Sequence, residues 1–165
     1  MTIHTSNPFS ADPDPVRRFR GRLGGAVSLW TAGEGTERAG LTVSSLMVAN
    51  GDPGRVLGLL DPDATLGEVL EETGLGVVQL LEWADRDLAD AFGGVAPAPG
   101  GPFTLGTWTQ TSHGPALASR SRALVRVEST TEVGWSVLVT ATIEDIALAD
   151  ERQPLEHRRG RYRHL

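Results

Sequence analysis

Apolar positions along the chain fall into short runs punctuated by glycine, proline and aspartate, a pattern that predicts many turns and short strands. AVSLWTA (26–32) is a β-type run, GEG (33–35) a turn, and ERAGLTV (37–43) the returning strand of a hairpin. RVLGLL (55–60) shows little alternation, which predicts a strand buried on both faces. GVVQLLEW (76–83) predicts another strand. In RALVRVEST, Ala123, Val125 and Val127 alternate with Leu124, Arg126 and Glu128. In VGWSVLVTATIEDI, Val133, Trp135, Val137, Val139, Ala141 and Ile143 share one face. Ser136, Thr140, Thr142 and Glu144 take the other, as expected of one long strand with a buried side.

Three segments carry helical signals. Asp14-Pro15 opens a short helix with proline at its first position, running to about Arg22 before Gly24-Gly25. TLGEVLEETG (65–74) has the T-x-x-E spacing of a capping box at Thr65 and Glu68. Its Leu66, Val69 and Leu70 share a face, and Gly74 stands where a left-handed stop is expected. ADRDLADAF (84–92) predicts a third helix with Asp85 as N-cap and Leu88, Ala91 and Phe92 inward. GGVAPAPGGPF (93–103) is a loop, long enough for a lid, a subunit contact or a linker. Residues 1–13 are polar and proline-bearing and read as a flexible N-terminal arm, leaving 14–165 as one domain. The count is six or seven strands and two or three helices. Helices and strands do not alternate regularly, so the expected class is mainly β, an antiparallel barrel with helices at its ends.

Composition narrows the function. A length of 165 residues suits a single core, and 20 glycines with 10 prolines favour turns over a helical bundle. The net charge of −6 argues against a nucleic-acid partner, and the cations of EHRRGRYRHL read as a solvated, charge-mixed end. With no cysteine there is no disulfide, thiolate metal site or cysteine nucleophile. The N-terminus lacks the basic-then-apolar order of a signal peptide. No apolar run approaches the ~20 residues of a membrane span, so a cytoplasmic protein with no membrane partner is expected.

Familiar catalytic signatures are missing. His4, His113, His157 and His164 form no H-x-x-x-H or H-E-x-x-H pair, so no metal site is expected. There is no G-x-S-x-G elbow, P-loop or G-x-G-x-x-G after a strand. Asp85 with Asp87, and Glu71 with Glu72, read as caps and solvated faces, and no catalytic acid or base is assigned. What remains is AGLTVSSLMVANGDPGRVLGLL (39–60). Thr42, Val43, Ser44 and Ser45 stand at a strand end, where hydroxyls and backbone N–H groups can meet a planar polar ligand. The same residues also read as a strand end closed by local side chain–backbone bonds.

The ordered set AVSLWTA…RAGLTVSSLMVANGDPGRVLGLL, TLGEVLEETGLGVVQLL, DLADAFGG and PLEHRRGRYRHL resembles the flavin reductase-like family, the FMN-binding split-barrel proteins, over about residues 15–165. The resemblance implies a Greek-key antiparallel split β-barrel, dimeric, with FMN (or FAD) near the interface. It implies hydride transfer from NADH or NADPH to flavin, and reduced flavin passing to a separate monooxygenase. Carried over by position, Thr42, Val43, Ser44 and Ser45 approach the flavin ring. Asp61 to Thr65 lie near its phosphate, with Thr65 at a helix start that favours an anion. Many members have Gly-Asp-His at the start of the long strand. Here Gly134, Trp135 and Ser136 match it, and neither Trp135 nor Ser136 titrates near neutrality. Trp135 is expected in the core, or as a stacking wall of the flavin site. Asp61 and Asp63 bring negative charge to the phosphate end, for which Arg38 or Arg55 are the candidate counter-charges. The alternatives are an FMN-binding carrier without reductase activity and a flavin-free dimeric interaction module.

Overall fold

The computed structural model describes residues 14–164, so the proposed arm at 1–13 lies outside the described residues. Three α-helices, α1 (Pro15–Leu23), α2 (Thr65–Thr73) and α3 (Arg86–Phe92), accompany the strands. The first strands are β1 (Gly25–Ala26), β2 (Ser28–Ala32), β3 (Ala39–Val43), β4 (Leu46–Ala49), β5 (Arg55–Leu60) and β6 (Leu75–Leu80). They are followed by β7 (Trp108–Thr111), β8 (Gly114–Leu117), β9 (Arg122–Val133), β10 (Ser136–Ala147), β11 (Leu155–Arg158) and β12 (Arg161–His164). Six strands that the sequence pattern did not mark (β1, β4, β7, β8, β11, β12) are two to four residues long, too short to display a period.

Seven strands form one sheet in the order β3-β2-β6-β9-β10-β5-β4, every neighbouring pair antiparallel. β3 and β4 are its two opposite edges, yet only Ser44 and Ser45 separate them in the chain. A flat sheet of seven strands would hold its edge strands about 29 Å apart, at ~4.8 Å per strand. Three Cα steps from Val43 to Leu46 reach at most about 11 Å. The sheet must therefore curl until its edges almost meet. Closure shows in the interior, where Trp30 of β2 packs on β5 from the other side of the sheet. A Cβ added at Gly58 would fall 2.6 Å from its indole ring. Trp30, Val43, Val56, Leu60, Val125, Val139 and Ala141 fill this interior with Leu66, Val69 and Leu70 of α2.

A second core lies outside the barrel wall, where Val27, Leu29 and Leu81 meet Leu88, Ala89 and Phe92 of α3 and Leu155 of β11. β2 serves both cores and is buried along its whole length. The strand expected to be buried on both faces, β5, is not. It presents Val56, Gly58 and Leu60 inward and leaves Leu59 38% exposed on the outer face. Gln79 is fully buried and pins the β7–β8 hairpin to the wall. Its amide nitrogen donates to Leu29 O (3.3 Å) and Thr31 Oγ1 (3.0 Å), and its oxygen accepts from Leu117 N (2.7 Å). The 93–103 loop is anchored by Phe103, which stacks edge-on against Phe92 (4.9 Å) and Trp108 (4.9 Å).

Helix termini follow the sequence in two places and depart from it in two. Asp14 caps α1 by accepting from Val16 N and Arg17 N, and Gly74 stops α2 at φ 70° with its N–H on Leu70 O. Thr65, expected to be an N-cap, is the first residue of α2; Ala64 is the N-cap and offers no side-chain oxygen. Asp85 precedes α3 as expected, but its carboxylate accepts from Glu82 N and grips the Arg120 guanidinium at 2.6 and 2.8 Å. That bond to Asp85 is the main reason Arg120 titrates higher than usual. The long strand expected over 133–146 is broken. Gly134 (φ 57°) and Trp135 form a two-residue turn between β9 and β10, opposing Val133 to Ser136. The turn reverses the alternation, so Val137, Val139, Ala141 and Ile143 face the core while Val133 (45% exposed) and Trp135 (76% exposed) do not.

Closure predicts a steric cost at the Trp30–Gly58 contact. Gly58→Ala is expected to lower stability by about 1–3 kcal/mol, as overpacking does, read as a reduced midpoint in urea at unchanged slope. Wild-type stability would show that the barrel is not closed by this contact.

Candidate functional site

The Ser44–Ser45 connector is where the curled sheet fails to seal, since β3 and β4 are not hydrogen-bonded to each other. Residues inside a ladder spend their N–H and C=O groups on neighbours; residues at a gap do not. The Ser45 carbonyl accepts from Leu59 N at 2.9 Å, while the N–H groups of Ser44 and Ser45 have no protein partner among the described residues. Both serines are partly exposed. Of the flanking residues, Val43 is 3% exposed, and its carbonyl accepts from Ser28 Oγ at 2.6 Å, so its side chain belongs to the core. Thr42 donates its hydroxyl to Ala89 O at 2.7 Å, tying β3 to α3.

Two further segments come to the same end of the barrel. The Leu59–Ser45 bond sets the connector beside the end of β5, and Asp61 follows two residues later. Leu60 pairs with Val137, so the Gly134–Trp135 turn projects from the strand next to β5 at that end. The structure thus gathers Ser45, Asp61 and Trp135 within a few register steps, and Thr65 opens α2 just beyond. The Asp61 carboxylate accepts from Asp63 N at 2.9 Å, which commits one oxygen to its own turn. Neither arginine considered as a counter-charge is there. Arg55 starts β5, about 20 Å of strand from Asp61, and pairs with Glu128 at 3.0 Å. Arg38 lies over the Phe103 ring at 4.4 Å.

On the other flank of the connector is a small cleft of about 20 Å³, lined by Val27, Thr42, Ser44, Ala89, Gly93, His157 and Tyr162. Its last two residues come from the C-terminal hairpin, whose two-residue turn, Arg159-Gly160, has positive φ at both positions. Tyr162 donates its hydroxyl to Asp90 at 2.6 Å. Burial, reinforced by that carboxylate, pushes the phenol well above its ordinary range. His157 is held edge-on against Tyr162 at 5.6 Å between centroids. Burial, and then the charge of Arg20, lowers its pKa against the opposing pull of Asp90. The sequence reading placed neither residue in a site, although the Leu155/His157 alternation before Arg-Gly was the signal available.

A larger, open cleft of about 370 Å³ is lined by Glu82, Ala84, Arg152 and Gln153. Its one carboxylate is already committed to Arg120 (3.2 Å) and Arg152 N (2.9 Å). Among the described residues no group of three or more His, Asp or Glu could hold a metal, and no helix is long and apolar enough to cross a membrane.

A family model described as "Flavin reductase like domain" matches residues 20–165. The FMN reductase (NADH) RutF of Ancylobacter novellus is 28% identical over 151 residues, covering 90% of this chain and 83% of the relative. Among solved structures, the NADH:FAD oxidoreductase SgcE6 of Streptomyces globisporus C-1027 superposes with a TM-score of 0.82 at 23% identity, covering 93% of this chain and 95% of the other. The styrene monooxygenase flavin reductase of Pseudomonas putida S12 gives 0.80 at 22% identity, covering 92% and 97%. A curled antiparallel barrel whose edges are joined by two serines, matched over nearly its whole length, places this chain in the flavin reductase-like family.

Proposed function

We propose that the protein is an NADH-dependent flavin reductase that docks the ring of FMN, or of FAD, against the Ser44–Ser45 connector. The observation that carries this reading is the pair of unspent N–H groups and two hydroxyls at a gap in the barrel. That donor set fits the carbonyl-bearing edge of an isoalloxazine ring. The other end fits as well. α2 begins at Thr65 without a side-chain cap; Gly67 N donates to Ala64 O at 3.1 Å, which leaves the N–H groups of Thr65 and Leu66 for a phosphate. The bond from Asp63 N commits one oxygen of the Asp61 carboxylate near that anion. The bound flavin supplies the hydride acceptor, and NADH the hydride.

The chain's own residues bind and orient. Ser44 and Ser45 fix the ring edge, Thr42 holds β3 against α3 so that the connector keeps its shape, and the exposed Trp135 offers a flat apolar wall beside the β5 end. The naming of relatives as NADH enzymes supports NADH over NADPH. The naming of the Pseudomonas neighbour as a styrene monooxygenase flavin reductase supports a monooxygenase as consumer of the reduced flavin. The absence of cysteine fits a reducing, cytoplasmic setting. A carrier reading is favoured by one observation: Trp135 and Ser136 stand where many members have the titratable His.

We also infer a homodimer. α1 rests on the C-terminal hairpin through Gly21, whose carbonyl accepts from Arg159 N at 2.9 Å. At 100° per residue, Val16, Phe19 and Leu23 lie within about 60° of each other and roughly opposite Gly21. They are 74%, 68% and 70% exposed, an apolar stripe aimed away from the protein's own body. The surrounding Arg17, Arg18, Arg20 and Arg22 complement the cation-free run 61–72 with its Asp61, Asp63, Glu68, Glu71 and Glu72, which a second copy provides.

Mixed with FMN, the protein is expected to oxidise NADH, seen as loss of absorbance at 340 nm. Ser45→Ala should weaken FMN binding by about fivefold, the value of one hydrogen bond of ~1 kcal/mol. Quenched FMN fluorescence without NADH oxidation would select the carrier, and unquenched FMN would remove both readings. Light scattering is expected to give a dimer that Phe19→Glu converts to monomer. A wild-type monomer at micromolar concentration contradicts the dimer.

A further inference from the structure

We propose that the cleft between the end of β3 and the C-terminal hairpin is a subsite for a single carbonyl oxygen. Ser44 and His157 would hold it together, which makes His157 a specificity-determining residue of the flavin site. The inference rests on the flavin reductase reading and adds to it a residue from a different part of the chain.

Size sets the ligand. About 20 Å³ is room for roughly one water. No ring enters such a space, but an exocyclic oxygen at a ring edge is the size of the water it would displace. Small residues keep the space open. Ala89 and Gly93 line it from α3 and its end, and a Cβ on Gly93 would stand 3.0 Å from Ala89 O and 3.8 Å from the Thr42 side chain.

Chemistry sets the partner groups. Of the polar side chains lining the cleft, two are already committed. Thr42 donates to Ala89 O and Tyr162 donates to Asp90. Among the described residues the Ser44 hydroxyl and the His157 ring nitrogens make no hydrogen bond. Two residues with uncommitted donors therefore line a water-sized space. The groups facing His157 are Arg20 from α1, Asp90 from α3 and Tyr162 from β12. Burial and Arg20 favour the neutral imidazole, which keeps one N–H to give. A carbonyl oxygen accepts from both donors; a cation would meet Arg20, and a carboxylate would have to be stripped of water in a half-buried cleft.

Two molecules of the reaction carry such an oxygen: the flavin, on its pyrimidine ring, and the nicotinamide, on its carboxamide. Nuclear magnetic resonance of the ¹⁵N-labelled full chain separates them. His157→Gln identifies the imidazole signal, which is titrated with pH in the presence of FMN alone, NAD⁺ alone and both. The expected result is a raised apparent pKa of His157, since an accepting oxygen favours the protonated ring. A rise with FMN alone assigns the flavin carbonyl. A rise with NAD⁺, alone or only once FMN is present, assigns the carboxamide. His157→Phe should weaken binding of the assigned ligand about fivefold, with His157→Gln, which keeps an N–H donor, closer to wild type. An unmoved His157 signal in a protein that quenches FMN fluorescence overturns the subsite and leaves the reductase reading standing. A wild-type protein that binds no FMN overturns the reductase reading and the subsite with it.

Discussion

Everything in this structure depends on the shortness of one connection. Two residues join the two edge strands of a seven-stranded sheet, and no flat or open sheet can satisfy that distance. The barrel is thus imposed by chain connectivity and stabilised by burial. Trp30 reaches across the interior to Gly58, where no side chain larger than hydrogen fits. The barrel closes without sealing, because the connector's residues are not in a ladder. The constraint that curls the sheet is therefore also the one that leaves unspent backbone donors at its seam.

The surroundings of the seam are arranged to hold it still. Thr42 is bonded to α3, Val43 is locked into the interior by its side chain and by Ser28, and Ser45 is bonded to β5. Two strand ends, the first turn of α2 and the β9–β10 turn all meet the same end of the barrel. A rigid rim of this kind suits chemistry in which the cofactor reacts and the protein positions it. The nearest groups with shifted titration, Tyr162 upward and His157 downward, lie on the C-terminal hairpin beside the connector.

Much of this was legible in the sequence where the signal was local or periodic. The Asp14-Pro15 cap, the Gly74 stop, the inward face of α2 and the core positions Ala123, Val125 and Val127 of β9 and Val137, Val139, Ala141 and Ile143 of β10 appeared as read. The errors came where a local pattern has two structural solutions. Val133, Trp135 and Val137 continue a period of two across a turn that reverses the faces, so Trp135 stands at a hairpin tip instead of in the core. Thr65-x-x-Glu68 is a capping-box spacing, but the helix begins one residue earlier than a Thr cap would allow. Arg55 is close to Asp61 in sequence and about a whole strand length away in space. The serines of the connector were visible as candidates, whereas their place between the two edges of the sheet was not. That Ser44 and Ser45 bridge opposite edges follows only from the strand order, which is set by pairings between residues as far apart as Val56 and Ala141. His157 and Tyr162 escaped notice because their two strands carry only four residues each and their role depends on packing beside α3.

The most direct measurement is a crystal structure of the protein soaked with FMN. The account predicts the ring edge against the Ser44–Ser45 connector, within hydrogen-bonding distance of their N–H groups or hydroxyls, and the phosphate at the start of α2. Flavin seated in the open cleft between Glu82 and Gln153, or with its ring edge away from the connector, would contradict it.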